Sequence, residues 1–147
     1  MRILAFTGPR KITAVEAYAV RCGVERLAPA DVYISGAAYG VDTAAALAAM
    51  DFFPDAEHRV YVPAAWHNRE VVSQLRERGA EVVQVPAADS VAASFLERDD
   101  WMVADCTALT AFPYTLREEL RSGTWATIRR ARTAGRGVRL LPLREGA

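Results

Sequence analysis

Cysteine and histidine are scarce in this chain: Cys22, Cys106, His58 and His67 are the only ones among 147 residues. Neither type falls at metal-ligand spacing, which excludes a zinc cluster and leaves two isolated thiols suited to a reducing compartment. No Ser–His–Asp or Cys–His constellation can be assembled, and nothing calls for a cofactor. No stretch approaches the roughly 18 unbroken apolar residues of a membrane span, so a membrane is not expected as partner. The opening "MRILAFTGPRK" runs straight into a strand-like pattern without signal-peptide features, and a cytoplasmic location is expected. Low-complexity segments, internal repeats and linkers are also missing, so residues 1–147 read as one domain.

Net charge is the last absence: 18 basic and 18 acidic residues cancel. A neutral chain does not advertise tight, nonspecific binding to long nucleic acid. The balance is uneven, however. From Arg117 onward there are eight arginines against three glutamates, a local +5, which leaves −5 on the preceding residues. That basic end is either a solvated helix face or the rim of a small anionic-ligand site.

What is present is a regular alternation. Short apolar runs at 2–8, 30–36, 58–63, 80–86, 108–113 and 137–143 read as strands. Between them, 11–27, 40–52, 68–78, 90–105 and 123–134 carry helical spacing. In the first helix Ile12, Val15, Ala19 and Val20 follow that spacing, although Gly23 weakens it. Strands rich in Val, Ile and Leu separated by helices of this length predict an α/β, Rossmann-like, doubly wound three-layer domain with a mainly parallel sheet of about six strands. Such sheets bind ligands outside the carboxyl ends of their strands.

Three turns on that edge have matching chemistry. In "FTGPRK" (6–11), Thr7 and Gly8 end a strand, the helix region begins at Pro9 or Arg10, and Arg10 and Lys11 supply charge for a phosphate or carboxylate. The alternative is a plain turn in which Gly8 takes a positive φ. In "SGAAYGVDT" (35–43), Ser35 and the amides from Gly36 to Gly40 form a candidate cradle. Asp42 would accept from a sugar hydroxyl or simply favour the helix dipole. This is neither the GxGxxG fingerprint nor a P-loop. In "RSGTWATIRRA" (121–131), Ser122 or Thr124 caps a helix, Gly123 leaves amides accessible, and Arg121 is placed to clamp an anion.

Taken together, "TGPR", "SGAAYGVDTAAALAA" and "RSGTWATIRRA" resemble the Smf/DprA–LOG (SLOG) superfamily, from Thr7 to about Pro142. The middle stretch is similar to the "SGxAxGID" loop of its DprA branch, placing Ser35, Gly36, Ala38, Gly40 and Asp42. The last is similar to that branch's "SGS-x-x-T" turn, placing Ser122, Gly123, Thr124 and Thr127. The resemblance implies a fold that binds nucleotides, nucleotide-derived molecules or single-stranded DNA, often as a homo-oligomer. A hydrolytic branch, which cleaves nucleoside monophosphates to base and ribose phosphate, carries "PGGxGTxxE" with a catalytic Glu. Here Thr127 stands at that Glu's position and Arg121-Ser122 replaces the tandem glycine; "RDDWMV", with Arg98, is similar to an Arg-containing helix of the same branch.

The expected function is therefore binding of a nucleotide-like ligand, with N-glycosidic hydrolysis and binding of short single-stranded DNA as alternatives. A hydrolase would have to recruit Asp42, Glu70 or Asp100. Arg98 is a further anion ligand, and Trp66, His67 and Asn68 are candidates to meet base or ribose, unless Trp66 packs and Asn68 caps a helix. Trp125 either stacks on a ligand or packs in the core. Glu118 and Glu119 read as solvated loop charges, and Cys106, placed near the end of the fifth strand, as core.

Overall fold

The structure, a computed structural model, describes residues 1–63, 69–86 and 88–144. Six strands form one sheet: β1 (Ile3–Thr7), β2 (Val32–Gly36), β3 (Glu57–Val62), β4 (Glu81–Gln84), β5 (Ala108–Ala111) and β6 (Gly137–Leu140). All pairings are parallel and the order is β4-β3-β2-β1-β5-β6. The helices between them are α1 (Ala14–Glu25), α2 (Val41–Phe52), α3 (Arg69–Glu77), α4 (Val91–Asp105) and α5 (Gly123–Thr133). The predicted Rossmann-like α/β fold is what forms.

Period-two alternation assigns each strand residue to a face. In β1, Leu4 and Phe6 enter a core with Val20, Val24, Tyr33, Val41 and Ala45 from the α1–α2 side. Ala5 enters the opposite core with Ile34, Met102, Trp125 and Ile128, under α4 and α5. A third cluster, with Val60, Val62, Val72 and Leu75, fills the space beneath α3. Because β1 is covered on both faces its sequence is continuously apolar rather than alternating. The alanines of α2 bring that helix close to the sheet: Ala45, Ala48 and Ala49 are fully buried.

Chain direction decides where a ligand can enter. From β1 to β4 each strand is added on one side, and α4 then carries the chain back across to β5 on the other side of β1. The loops after β1 and β5 therefore diverge, leaving a crevice at the carboxyl edge.

The structure corrects several boundaries. The first helix starts at Ala14, not near Pro9, because Thr13 caps it: its hydroxyl accepts from the Glu16 N–H at 3.1 Å, and the Glu16 carboxylate accepts from the Thr13 N–H at 3.0 Å. This capping box was legible as Thr-x-x-Glu. The buried face of α1 is Glu16, Val20 and Val24, whereas Val15 is 78% exposed. Gly23 is tolerated in mid-helix because a Cβ there would lie 2.9 Å from the Phe112 ring. β4, β5 and β6 are shorter than the apolar runs that announced them. Cys106 is the C-cap of α4, just ahead of β5 rather than near its end; it is buried, and desolvation raises its thiol pKa.

Candidate functional site

The crevice opens as a groove of about 480 Å³ at the carboxyl edge, between the β1–α1 loop, the start of α2, the middle of α4 and the start of α5. Thr7, Gly8, Arg10, Asp42, Arg98, Ser122, Gly123 and Thr124 all line it. The topology thus gathers eight of the sequence-predicted residues, from four segments, into one place.

Of the helices that start on this edge, three follow the glycine-bearing turns, and their first amides are not equivalent. At α1, Thr13 accepts from its N3 amide, that of Glu16, but the first-turn residues Ala14 and Val15 do not line the groove. At α2, the first N–H, of Val41, is taken by the Pro9 carbonyl at 3.1 Å. In α5, Ser122 accepts from the Trp125 N–H at 3.3 Å, and Gly123 and Thr124, whose amides have no carbonyl of their own helix to bond, line the groove. A Cβ on Gly123 would meet nothing within 4 Å, so the space in front of these amides is open. An unconsumed helix N-terminus of this kind attracts an anion through its N–H groups and its dipole.

Across the groove lies Arg98, only 5% exposed. Its Nε donates to Asp99 Oδ1 at 2.7 Å, while its buried Nη1 has no hydrogen-bond partner among the described residues. Gly36 explains how the guanidinium fits: a Cβ there would sit 2.5 Å from Nη1 and 2.6 Å from the Asp42 carboxylate. Burial pushes the Asp42 pKa up to about 6. The Arg98 cation opposes this rise and neighbouring Asp99 adds to it. The groove therefore holds Arg10, Lys11 and Arg98 against Asp42, Asp99 and Glu119. Protonating Asp42 tips that balance toward positive.

Aromatic surface is supplied by residues that sequence reasoning missed. Phe95 lines the groove with the Arg10 guanidinium 4.4 Å from its ring centre and that of Arg98 at 5.6 Å. Tyr114 lines it too; its hydroxyl donates to the Lys11 carbonyl, and Arg144 covers its ring at 4.1 Å. Phe95 had a signal, since it precedes Arg98 by three residues on one helix and so shares its face. Tyr114 had none, because only the β1–β5 pairing brings residue 114 beside Lys11.

The other predicted residues lie elsewhere. Ser35 is buried beneath the loop. Gly36 seats Arg98, and Gly40, with φ +77°, presses against the Pro9 carbonyl, where a Cβ would lie 2.5 Å away. Gly8 likewise makes room for Val41. These glycines let loops approach one another. Thr127 is 2% exposed and donates to the Gly123 carbonyl at 3.1 Å, inside the helix rather than in the groove. Trp125 is core. Arg121 is exposed and outside the groove, as is Glu70 on α3. Asp100 pairs with Arg130 at 2.8 Å. Glu118 pairs with Arg129 at 3.0 Å, so it is not merely solvated, and Glu119 lines the groove. Trp66, His67 and Asn68 lie outside the described residues. Among the described residues no three His, Cys, Asp or Glu side chains gather to hold a metal, and no helix is long and apolar enough to cross a membrane.

The model of one family, DNA recombination-mediator protein A, matches residues 1–146. The chain belongs to that family. Its Smf/DprA resemblance, read from the three glycine-bearing turns, is thereby borne out. Among solved structures, the X-ray structure of DNA processing protein A (DprA) from Streptococcus pneumoniae superposes with a TM-score of 0.77 at 22% identity. The match covers 99% of this chain and 51% of that one, so the chain spans about half the length of this relative and shares its fold. No curated protein matches.

Proposed function

We propose that the carboxyl-edge groove binds a nucleotide or nucleotide-derived ligand. The observation that carries this reading is the pairing of an open α5 N-terminus with a 5%-exposed arginine whose Nη1 lacks a partner among the described residues, across one groove. A buried unsatisfied guanidinium donor costs on the order of 1–3 kcal/mol, which a ligand oxygen would recover after a small side-chain rotation. Phosphate would sit at the Gly123 and Thr124 amides beside the Ser122 hydroxyl, with Arg98 and Arg10 neutralising it. Phe95 or Tyr114 would support the base, since every base offers a π-face. Asp42 would accept from a sugar hydroxyl when ionised.

Family membership favours one particular source of that nucleotide unit, single-stranded DNA, because the family is named for a DNA recombination mediator and the superposed relative is a DNA processing protein. In either case the ligand is held rather than cleaved on this reading, since Thr127 replaces the hydrolytic branch's Glu and is occupied by its own helix.

Thermal shift with nucleoside monophosphates, ADP-ribose, NAD and short oligothymidylates tests the reading, with chromatography of the mixtures for released base. Binding should stabilise the protein without base release. Arg98→Gln should weaken it roughly tenfold to a hundredfold, the range of one charged hydrogen bond. No shift with any ligand would sink the proposal, and base release would replace binding with hydrolysis.

A further inference from the structure

A second depression, of about 610 Å³, lies on the outer seam between α4 and α5. It has a different electrostatic character from the first. Arg129, Arg130 and Arg136 line it against a single carboxylate, Asp100, over a floor that includes Val103 and Ala126. Arg130 donates from Nε to Asp100, and its buried Nη1 has no partner among the described residues. Arg136 reaches back to the carbonyls of Val103 and Ala104, at 3.1 and 3.2 Å, and so offsets the negative end of α4. Here lies part of the basic excess that follows Arg117.

The two depressions are consecutive along the same pair of helices. On α4, Asp99 belongs to the carboxyl-edge groove and Asp100 to the outer one; on α5, Thr124 belongs to the first and Ala126 to the second. From Gly123 to Arg130 the α5 axis advances about 10 Å at 1.5 Å per residue. That distance matches about three stacked nucleotides at ~3.4 Å each. A mononucleotide would use only the first groove and leave the outer arginines to their partners within the chain, Arg129 with Glu118 and Arg130 with Asp100.

We propose that the outer α4–α5 groove is a second subsite that takes the sugar–phosphate backbone of a nucleic-acid single strand leaving the carboxyl-edge groove. The inference rests on the reading that the first groove holds a nucleotide unit, and it makes the natural ligand a strand. Arginine cations with a low apolar floor suit this task, because a backbone needs charge at intervals and no bulky side chain beneath it.

The test is fluorescence anisotropy with a thymidylate dinucleotide, too short to reach Arg130, and an oligothymidylate of about twelve nucleotides, at several salt concentrations. Arg130→Gln should weaken the long oligomer about tenfold and reduce its salt slope by ~0.7, the loss of one phosphate contact, while the short oligomer binds as before. Asp100→Asn, at a half-exposed position, should tighten the long oligomer by removing the competing carboxylate. Wild-type affinity and slope in both variants would overturn the second subsite. Short-oligomer binding abolished by Arg98→Gln would still uphold the first. A long oligomer that depends on Arg130 beside a short one that never binds would keep the outer groove and reject the inner. Arg130-dependent capture of polyglutamate with no affinity for the long oligomer would also overturn the proposal.

Discussion

Gly40→Ala isolates the contact that holds the two glycine-bearing loops together. Gly40 has φ +77° and ψ −127°, a backbone region open to glycine and costly for other residues. Holding alanine there costs about 1–3 kcal/mol. The added Cβ would also lie 2.5 Å from the Pro9 carbonyl oxygen, and that carbonyl is fixed by the Val41 N–H. Backbone cannot swing aside as a side-chain tip can, so overpacking adds about 1–3 kcal/mol more. A total of about 2–6 kcal/mol is a large share of the 5–15 kcal/mol typical of a domain. At roughly 2–4 °C per kcal/mol for a chain of this size, Tm should fall by roughly 5–20 °C. Gly123→Ala is the internal control: it has negative φ and open space around its Cβ, and it should leave Tm unchanged or slightly higher. Thermal and urea unfolding followed by circular dichroism would measure both. Equal Tm values for the two variants would refute the claim that Gly40 serves loop packing rather than ligand access.

The remaining expectations concern charge. Asp42, raised from 3.8 to about 6 by burial, is protonated in both states below about pH 4 and ionised in both above about 6, so its desolvation penalty grows between those values. The difference corresponds to about 3 kcal/mol. Asp42→Asn should therefore be no more stable than wild type at pH 4 and gain stability up to pH 6, where the gain levels off; a flat difference in pH-dependent unfolding would contradict the burial argument. Ligand titrations should show anion affinity falling as pH rises through about 6, and Asp42→Asn should flatten that profile. Glu16 behaves oppositely. Its hydrogen bond from Arg144, with the N–H of Thr13, lowers its pKa from 4.5 to about 2, so its contribution is present above about pH 4.5 and lost as pH falls through 2. Glu16→Gln should lower Tm at pH 7, and the difference should close in acid; persistence of the full difference at pH 2 would rule out the ion pair as its source.

Much of the fold was legible because it rests on local pattern. Apolar runs such as "RILAFTG" bury on two faces, and helical spacing separates them, so the parallel α/β architecture and its carboxyl edge follow from periodicity and strand–helix alternation. The turns at Gly8 and Ser122–Thr124, with Asp42 in the first turn of α2 and Arg98 on α4, were likewise readable as candidates for that edge, and the groove gathers them. The inward face of α1 was less legible: Glu16 is buried by Arg144, a residue far away in the chain, which hydropathy does not register.

What the sequence by itself determined is the set of groups available at the carboxyl edge. Tertiary structure alone decided which of them are free. Three helix starts look similar in sequence, yet the Pro9 carbonyl takes the first N–H of α2, the first-turn residues of α1 lie away from the groove, and α5 brings Gly123 and Thr124 to line it. Hydrogen bonds across loops and the reversal of strand order between β1 and β5 make that choice, and both depend on contacts between residues widely separated in the chain.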